Sequence, residues 1–413
     1  MSKLKWLVYD LGLFTEQALR LLRDSASVKY FVNWADAFPE ATKAKIGEGL
    51  DGLERVEWFW DEVDKCDAIF IPDTHCQDIT EFLKSKGYPV AGAGRSERIE
   101  LDRWYGRNLQ VKNGLPVQET HKIVGVTDLK EFLTNHKNYF VKIDTFRGVT
   151  ESFRHYDWKD TEGEIEYLIH KVGPYKEDVV FTVEELIDGI EPGFDGITFD
   201  GETLYPTMCG YEMKGAGYIS RTYKNEGELP APLKQVNDGL SPEFKKNKTR
   251  FFVSTEIKLT KDKVPFLIDP TIRLAAPGTS AVQTEIIENY TDVVYGLATG
   301  NKVDPIIKYK YGAAVCFQSA RADKRWVNVT FPKQDRQWIK FRMGTKKGND
   351  YYACPGFDSI CTVIGLGNTI PEAVDLVKER SKGVHAAGLD PDTSGLDEIV
   401  KKIQEGKPLG VNF

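Results

Sequence analysis

Short strands and amphipathic helices alternate through the first 95 residues, and this alternation limits the possible folds more than any other feature. The run Cys66–Asp73 has a continuous apolar centre, which is typical of a parallel strand buried on both faces. Helical spacing is found at Thr15–Arg23 and Ile79–Lys86. The other strands are predicted at Trp6–Tyr9, Val28–Val32 and Tyr88–Gly92. Strand, helix and strand in succession predict an open parallel sheet, and therefore an α/β domain over residues 1–95.

The rest of the chain mixes helices with hairpins, so the fold class is α/β (α+β). Ser96–Asn113 has helical spacing, and Gly114-Leu115-Pro116 ends it. The other predicted elements are the strands His121–Val124, Tyr139–Ile143 and Val179–Val183, the helices Asp128–Asn135 and Pro371–His385, and two hairpins, Gly196–Phe199 with Leu204–Met208 and Phe251–Leu259 with Val264–Asp269.

Composition excludes several classes of protein. The 413 residues are 41% hydrophobic and 28% charged, unlike a disordered, collagenous or membrane-spanning chain. The net charge is 55 − 62 = −7, with a pI near 5.6, which argues against a dedicated nucleic-acid binder. The length predicts two or three domains, because single cores stop growing near about 250–300 residues.

Cysteines and apolar runs predict a cytoplasmic protein. The six cysteines are scattered and form no C-x-x-C pair, so we expect free thiols in a reducing compartment. The apolar run that follows Lys5 is too short for a secretory signal or a membrane span. The six histidines show no clustered spacing, so no catalytic role is assigned to them.

Lys142 is the first candidate for chemistry, since it lies inside the apolar strand Tyr139–Ile143. A charged group on a half-buried strand costs free energy unless it meets a partner. A phosphate group is a natural partner for such a point charge. The alternative is an edge lysine whose ammonium group reaches solvent.

A strand that ends in acidic residues is the second candidate. Phe181–Glu191 runs from a strand into Glu184-Glu185, two apolar residues, Asp-Gly and another Glu. An extended backbone at this place offers a carbonyl and an N–H group to the edge of a flat heterocycle. An acidic turn without a ligand is the alternative.

Two acids in the second hairpin are the third candidate. Glu256 and Asp269 are 269 − 256 = 13 residues apart, a separation that brings them opposite each other in a tight hairpin. Facing carboxylates repel, and a divalent cation reverses that penalty. Mg²⁺ prefers one or two carboxylates together with substrate phosphates. Ordinary surface acids remain the alternative.

The order of these three signals resembles the ATP-grasp ligases. Within them the chain is most similar to the phosphoribosylamine–glycine ligase (glycinamide ribonucleotide synthetase) family. The similarity extends over almost the whole chain, and the segments that carry it are Gly87–Arg103, Gly114-Leu115-Pro116-Val117, Gly365–Ala373 and Gly383–Gly388. It implies an ATP-grasp fold in which a Rossmann-like N-terminal domain precedes the ATP-grasp domain and a small C-terminal domain follows it. The expected boundaries are 1–95, 96–305 with a lid subdomain at about 117–190, and 306–413.

The resemblance also implies a site for ATP with Mg²⁺ or Mn²⁺. The residues implied to contact the nucleotide are Arg103, Lys142, Arg147, Glu184, Glu185, Leu186, Ile187 and Glu191. Among them Lys142 contacts the α and β phosphates, Arg147 belongs to the loop over the phosphates, the Glu185 carbonyl and the Ile187 N–H bracket adenine, and Glu191 holds the ribose. Glu256, Asp269 and Thr271 are the implied metal ligands, and Arg273 steadies the transferred phosphoryl group.

The chain departs from the family mostly on the acceptor side. A lone Gly12 follows the first strand, where the family has a glycine loop that cradles phosphate, and Thr271 replaces the usual metal-binding Asn. The family's glycine-rich segment for the amine substrate is reduced to Gly210–Tyr218. Candidate acceptor contacts are Lys214, Arg221, Thr279 and Ser280, with ordinary loop residues as the alternative.

The implied function is an ADP-forming carboxylate–amine ligase that works through an acyl phosphate. Its expected partners are small carboxylate and amine substrates, without membrane or nucleic acid, in a monomer or homodimer. Three alternatives stay open: a ligase for a different amine such as a modified nucleotide, a nucleotide-binding protein without turnover, and a kinase or AMP-forming synthetase on another fold.

Overall fold

The computed structural model describes residues 3–33, 45–144, 152–275, 277–389 and 392–413. None of the helices in these ranges has the length and apolar character needed to cross a membrane. The α-helices are α1 Thr15–Asp24, α2 Gln77–Ser85, α3 Arg98–Leu101, α4 Arg103–Lys112, α5 Val126–Asn135, α6 Trp158–Val172, α7 Ala231–Lys246, α8 Gly278–Ile286, α9 Tyr290–Thr299, α10 Ile370–Ser381 and α11 Ser394–Gly406. Short 3₁₀ helices lie at Val63–Lys65, Gly94–Glu97, Gly173–Tyr175, Glu226–Glu228, Lys333–Trp338 and Lys407–Leu409.

The N-terminal sheet is parallel throughout, which confirms the predicted open parallel sheet. Its strands are β1 Lys5–Asp10, β2 Ser27–Val32, β3 Glu54–Arg55, β4 Ala68–Phe70 and β5 Val90–Ala91. They stand in the order β3-β2-β1-β4-β5. Trp6 and Val8 pack into one core while Leu7 and Ile69 pack into another, and this burial on both faces explains the continuous apolar runs. The strand order reverses between β1 and β4, the place where open α/β sheets bind ligands.

A second, antiparallel sheet has a small core of its own. Its strands are β6 Thr120–Val124, β7 Tyr139–Ile143, β8 Ser152–His155 and β9 Val180–Glu185, in the order β6-β9-β7-β8. Helices α5 and α6 cover it, and Leu129 and Ile165 pack with Val141 and Phe181. This sheet falls within the expected lid subdomain.

The largest sheet formed by the described residues holds the candidate metal ligands. Its strands are β10 Pro192–Phe199, β11 Glu202–Thr203, β12 Thr207–Met213, β13 Gly217–Tyr223, β14 Arg250–Leu259, β15 Pro265–Thr271, β16 Tyr311–Gln318, β18 Ile339–Phe341 and β21 Ser359–Gly367. The order is β15-β14-β10-β12-β13-β16-β21-β18, with β11 beside β10. The predicted hairpin of β14 and β15 is confirmed, since Glu256 pairs with Asp269 in the ladder.

The C-terminal residues contribute to this sheet and also form a small sheet of their own. The small sheet contains β17 Val327–Thr330, β19 Gly344–Lys347, β20 Asp350–Ala353 and β22 His385–Ala386, in the order β19-β20-β17-β22. Because β13 pairs directly with β16, the expected boundary at residue 305 is crossed by a continuous hydrogen-bonded sheet.

Three predicted elements differ in detail from the structure. The helix expected over Ser96–Asn113 is broken at Asp102, whose carboxylate accepts a hydrogen bond of 2.9 Å from the Tyr105 N–H and starts α4. In the first predicted hairpin, β12 begins only at Thr207, because Pro206 has no N–H to donate to the ladder. The last predicted helix ends at Ser381, and His385 belongs to β22.

Candidate active site

Four acids gather on one face of the largest sheet. Glu256 lies opposite Asp269 on β15 and opposite Gly193 on β10, and Gly193 lies opposite Gly210 on β12. Residues opposite each other in a ladder point to the same face, as do residues two apart along a strand. Asp195 and Glu212 therefore share the face of Glu256 and Asp269.

Glu256 is surrounded by other carboxylate groups. Burial, and the nearby carboxylates of Asp269, Glu212 and Glu191, raise the pKa of Glu256 well above its usual value. No group of three His, Cys, Asp or Glu side chains within the described ranges is arranged to hold a metal ion. The facing carboxylates of Glu256 and Asp269 could nevertheless hold a divalent cation together with substrate phosphates, and the Thr271 hydroxyl at the end of β15 is a further oxygen donor.

Two cations, Lys142 and Arg103, lie close to these acids. Lys142 on β7 has its Nζ 3.1 Å from Glu184 Oε2 and donates a second hydrogen bond to the Ile268 carbonyl. Burial lowers the pKa of Lys142 although Glu184 opposes the shift. Arg103 at the start of α4 donates to the Ile143 carbonyl at 3.2 Å, and its Nη1 lies 4.0 Å from Asp269 Oδ1. The structure therefore brings the predicted phosphate and metal residues together.

Arg107 is a central residue that sequence reasoning missed. Its side chain is buried, pairs with Glu184 and donates hydrogen bonds to the carbonyls of Leu267 and Ile268. Burial raises the pKa of Glu184, but Lys142 and Arg107 outweigh it and the net shift is downward. Arg107 lies one helical turn after Arg103 and therefore on the same side of α4. This spacing was the feature of the sequence that could have indicated its place beside Arg103.

The end of β9 presents the backbone expected to meet adenine. The Leu186 N–H donates to the Asn138 carbonyl at 2.8 Å, and the ladder stops there. Among the described residues the Ile187 N–H finds no acceptor. Glu191 is paired with Lys258 at 2.5 Å, and its carboxylate lies close enough to Glu256 on β14 to raise the pKa of that group.

Arg273 is held between the largest sheet and the N-terminal sheet. Its Nε donates to Glu100 Oε1 at 2.9 Å and lies 3.8 Å from Asp73 Oδ1. Burial opposes the charge, but Glu100, Asp73 and Asp269 together raise the pKa of Arg273. The guanidinium group is therefore fixed in its charged form near Asp269.

The candidate acceptor residues do not all lie together. Lys214 is exposed in the turn that follows β12, while Thr279 and Ser280 are buried in the first turn of α8. Arg221 lies on the opposite face of the sheet from Glu256, and its Nη1 donates to the Asn412 carbonyl at 2.9 Å. Arg147 lies outside the described residues.

Asp195 and Glu212 were also missed by sequence reasoning. Asp195 accepts hydrogen bonds from Tyr218 Oη at 2.6 Å and Ser254 Oγ at 2.8 Å, and burial raises its pKa to about 6. Burial and the Asp195 charge raise the pKa of Glu212 to about 7. Gly210 makes this arrangement possible, because a Cβ there would collide with the Tyr218 ring. The sequence signal was that each acid lies two residues after a glycine, Asp195 after Gly193 and Glu212 after Gly210. This spacing indicates a shared face only once the pairing of the strands is known.

A small cleft lies between α1, α8 and the strands that follow residue 338. Leu13, Glu16 and Ser280 line it, with Lys340 and Arg342 on the far side. Lys340 Nζ is 2.5 Å from Glu285 Oε1 and 3.9 Å from Glu16 Oε2, so acids already balance its charge.

Solved structures resemble the chain over nearly its whole length, although its sequence matches no family model and no curated protein. Phosphoribosylamine–glycine ligase from Thermotoga maritima superposes with a TM-score of 0.69 at 16% identity, over 93% of this chain and 98% of that one. The biotin carboxylase domain of 2-oxoglutarate carboxylase from Hydrogenobacter thermophilus gives a TM-score of 0.70 at 12% identity, over 99% of each chain. L-amino acid ligase from Bacillus licheniformis gives 0.61 at 17% identity, over 94% and 99%. The chain therefore has the ATP-grasp fold, as the sequence predicts.

Proposed function

We propose that this protein is an ATP-dependent, ADP-forming ligase that joins a carboxylate to an amine. The observation that carries the proposal is the pairing of Glu256 with Asp269, with Lys142 and Arg103 facing them. Two carboxylates with two cations opposite suit a metal-bound triphosphate. The solved ligases that share the fold support the reaction class.

ATP binds in this proposal between the lid sheet and the largest sheet. Adenine meets the Glu185 carbonyl and the Ile187 N–H, and Glu191 holds the ribose. Lys142 and Arg103 contact the phosphates. Glu256 and Asp269 would hold Mg²⁺, which would supply positive charge to the phosphates when bound.

The proposed chemistry has two steps. An oxygen of the substrate carboxylate attacks the γ-phosphorus of ATP, so that ADP leaves and an acyl phosphate forms. The amine then attacks the acyl carbon, phosphate leaves and the nitrogen loses a proton. Arg273, held by Glu100, faces the phosphoryl group in both steps, and the protein contributes by position and charge.

A nucleotide-binding protein without turnover is the second candidate. Thr271 motivates it, because a hydroxyl stands in the place of the family's third metal ligand and is only 8% exposed. Such a protein would bind MgADP yet release no ADP from ATP with any acceptor.

The proposal includes small-molecule partners and a cytoplasmic location. All six cysteines are free thiols, as expected in a reducing compartment. A monomer or homodimer is proposed from the resemblance alone.

The test is a screen of carboxylates crossed with amines, with release of ADP and phosphate measured and product masses read directly. We expect ADP release that requires Mg²⁺ and both acceptors, and its loss in Asp269→Asn. Asp262→Asn, at the exposed turn of the same hairpin, is the matched control. AMP and pyrophosphate as products would contradict the proposal.

A further inference from the structure

Asp10 fills the place at the end of β1 where an anion would bind in an open α/β sheet. The chain turns from β1 into α1 through Gly12, whose φ of +109° favours glycine. The helix N-terminus and the preceding loop point N–H groups at this place, which is a general anion site. Here Phe14 N–H donates to Asp10 Oδ2 at 2.8 Å and Leu13 N–H to Oδ1 at 3.3 Å.

Further groups complete the enclosure of this carboxylate. Tyr30 Oη donates to Asp10 Oδ2 at 2.5 Å, and the Gly12 N–H contributes another hydrogen bond. Asp10 is fully buried. Burial raises the pKa of Asp10 to about 6, so the group is mostly ionised at neutral pH and acts as a built-in anion.

The neighbouring strand end adds negative charge. Asp73 follows β4, the strand beside β1 at the switch point, and it is 1% exposed. Its charge contributes to the raised pKa of Asp10, so the two carboxylates are close in space. A phosphate group brought here would meet two acids, and the donors that would receive it are already in use.

We infer that the amine substrate of the proposed ligase is unphosphorylated, because Asp10 occupies the anion position beside the cleft that the candidate acceptor residue Ser280 lines. The cleft begins at Leu13 and Phe14, the residues whose N–H groups Asp10 binds. On the far side the Lys340 ammonium is balanced by Glu285 and Glu16. Arg342 also lines the far side, but at the end of the cleft beside β1 the Asp10 and Asp73 carboxylates favour an amine over a phosphate ester. The inference rests on the proposed function.

A local reporter tests whether phosphate reaches this place. The protein is labelled with ¹⁵N-phenylalanine, loaded with Mg²⁺ and a non-hydrolysable ATP analogue, and titrated with orthophosphate. The Phe14 amide is assigned by its absence in Phe14→Leu. We expect no saturable shift of that amide in the wild-type protein, and a saturable shift would overturn the inference.

The variant Asp10→Gly frees the N–H groups of Leu13 and Phe14 for an anion and serves as the positive control. We expect its Phe14 amide to shift saturably with orthophosphate, while the other phenylalanine amides keep their wild-type positions. A folded variant that ignores orthophosphate would overturn the assignment of Asp10 as the excluding group. If the variant does not fold, the wild-type titration alone decides.

Paired acceptors separate this inference from the proposed function. Serine and phosphoserine, and ethanolamine and phosphoethanolamine, are compared in the ADP-release screen. We expect the free amine to be favoured in kcat/KM by about tenfold or more in any active pair. Preference for the phosphate ester would contradict the inference. A screen with no active acceptor would count against the ligase, while the Phe14 amide still decides whether phosphate binds.

Discussion

Lys142 Nζ lies 3.1 Å from the Glu184 carboxylate, and both side chains are almost excluded from solvent. Glu184 is at the same time held by Arg107, so it keeps a cationic partner if Lys142 turns toward a phosphate. The pair holds the lysine beside the proposed ATP site without leaving a buried charge alone.

Replacement of Lys142 tests its contact with ATP. Lys142→Met keeps the apolar stem and removes the charge, and Glu184 remains paired with Arg107. We expect kcat/KM for ATP to fall by about a hundredfold while the thermal midpoint changes little. Steady-state kinetics and thermal unfolding check this. Lys137→Ala, an exposed lysine just before β7, is the control, and unchanged kinetics in Lys142→Met would remove the lysine from the phosphate site.

Glu256→Gln is expected to stabilise the metal-free protein and to abolish turnover. The raised pKa of Glu256 means that this group costs stability at neutral pH, and the cost disappears below its unfolded pKa. Glutamine removes the cost but is a poor Mg²⁺ ligand. We expect a higher thermal midpoint in EDTA and a loss of activity of about a thousandfold. If Glu256→Gln has a lower thermal midpoint in EDTA than the wild type, while Asp262→Asn keeps the wild-type value, the neighbouring carboxylates do not destabilise ionised Glu256.

Arg107→Met is expected to destabilise the protein strongly. The substitution removes one partner of a buried ion pair and three further hydrogen bonds, among them one to the Gln110 side chain. Breaking such a pair costs about 3–5 kcal/mol. Urea unfolding measures the change, and Arg98→Met, whose guanidinium is exposed on α3, is the control. The double variant Arg107→Met with Glu184→Gln should be less stable still, since Lys142 then loses its buried carboxylate partner.

The lowered pKa of Glu285 predicts how the free energy of unfolding changes at acidic pH. Burial opposes ionisation, but Lys340 and Arg23 outweigh it and lower the pKa of Glu285 to about 2. The folded pKa is below the unfolded one, so this contribution is complete above about pH 4.5 and is lost as pH falls toward 2. In the wild-type protein the urea concentration at the unfolding midpoint should fall as the pH is lowered from about 4.5 to 2. We expect this fall to be smaller in Glu285→Gln.

The control for this profile is Glu288→Gln, whose side chain is more exposed and pairs with Lys308 at the surface. It should follow the wild-type curve. An unchanged decline in Glu285→Gln would show that other carboxyl groups govern acid unfolding.

Local patterns predicted the parts of the site that lie close in sequence. Glu256 and Asp269 belong to one hairpin, so their register follows from the chain itself. Asp195 and Glu212 join them only because β10 pairs with both β12 and β14, and no local pattern specifies that pairing. Arg107 acts on carbonyls of Leu267 and Ile268, which are distant in sequence.

The N-terminal loop shows the same limit. The lone Gly12 indicated that a phosphate cradle was incomplete, but the carboxylate that fills it became visible only in the hydrogen bonds of Asp10. The parallel pairing of the N-terminal strands was predictable because alternating strands and helices restrict the chain to crossover connections.

The ladder between β13 and β16 joins the residues after 305 to the sheet that carries Glu256 and Asp269. In a protein truncated after residue 305, the backbone of Gly217–Arg221 would lose its partner strand and become an unpaired, exposed sheet edge. Such an edge pairs readily with other chains, so the shortened protein would associate with itself rather than remain a separate folded monomer.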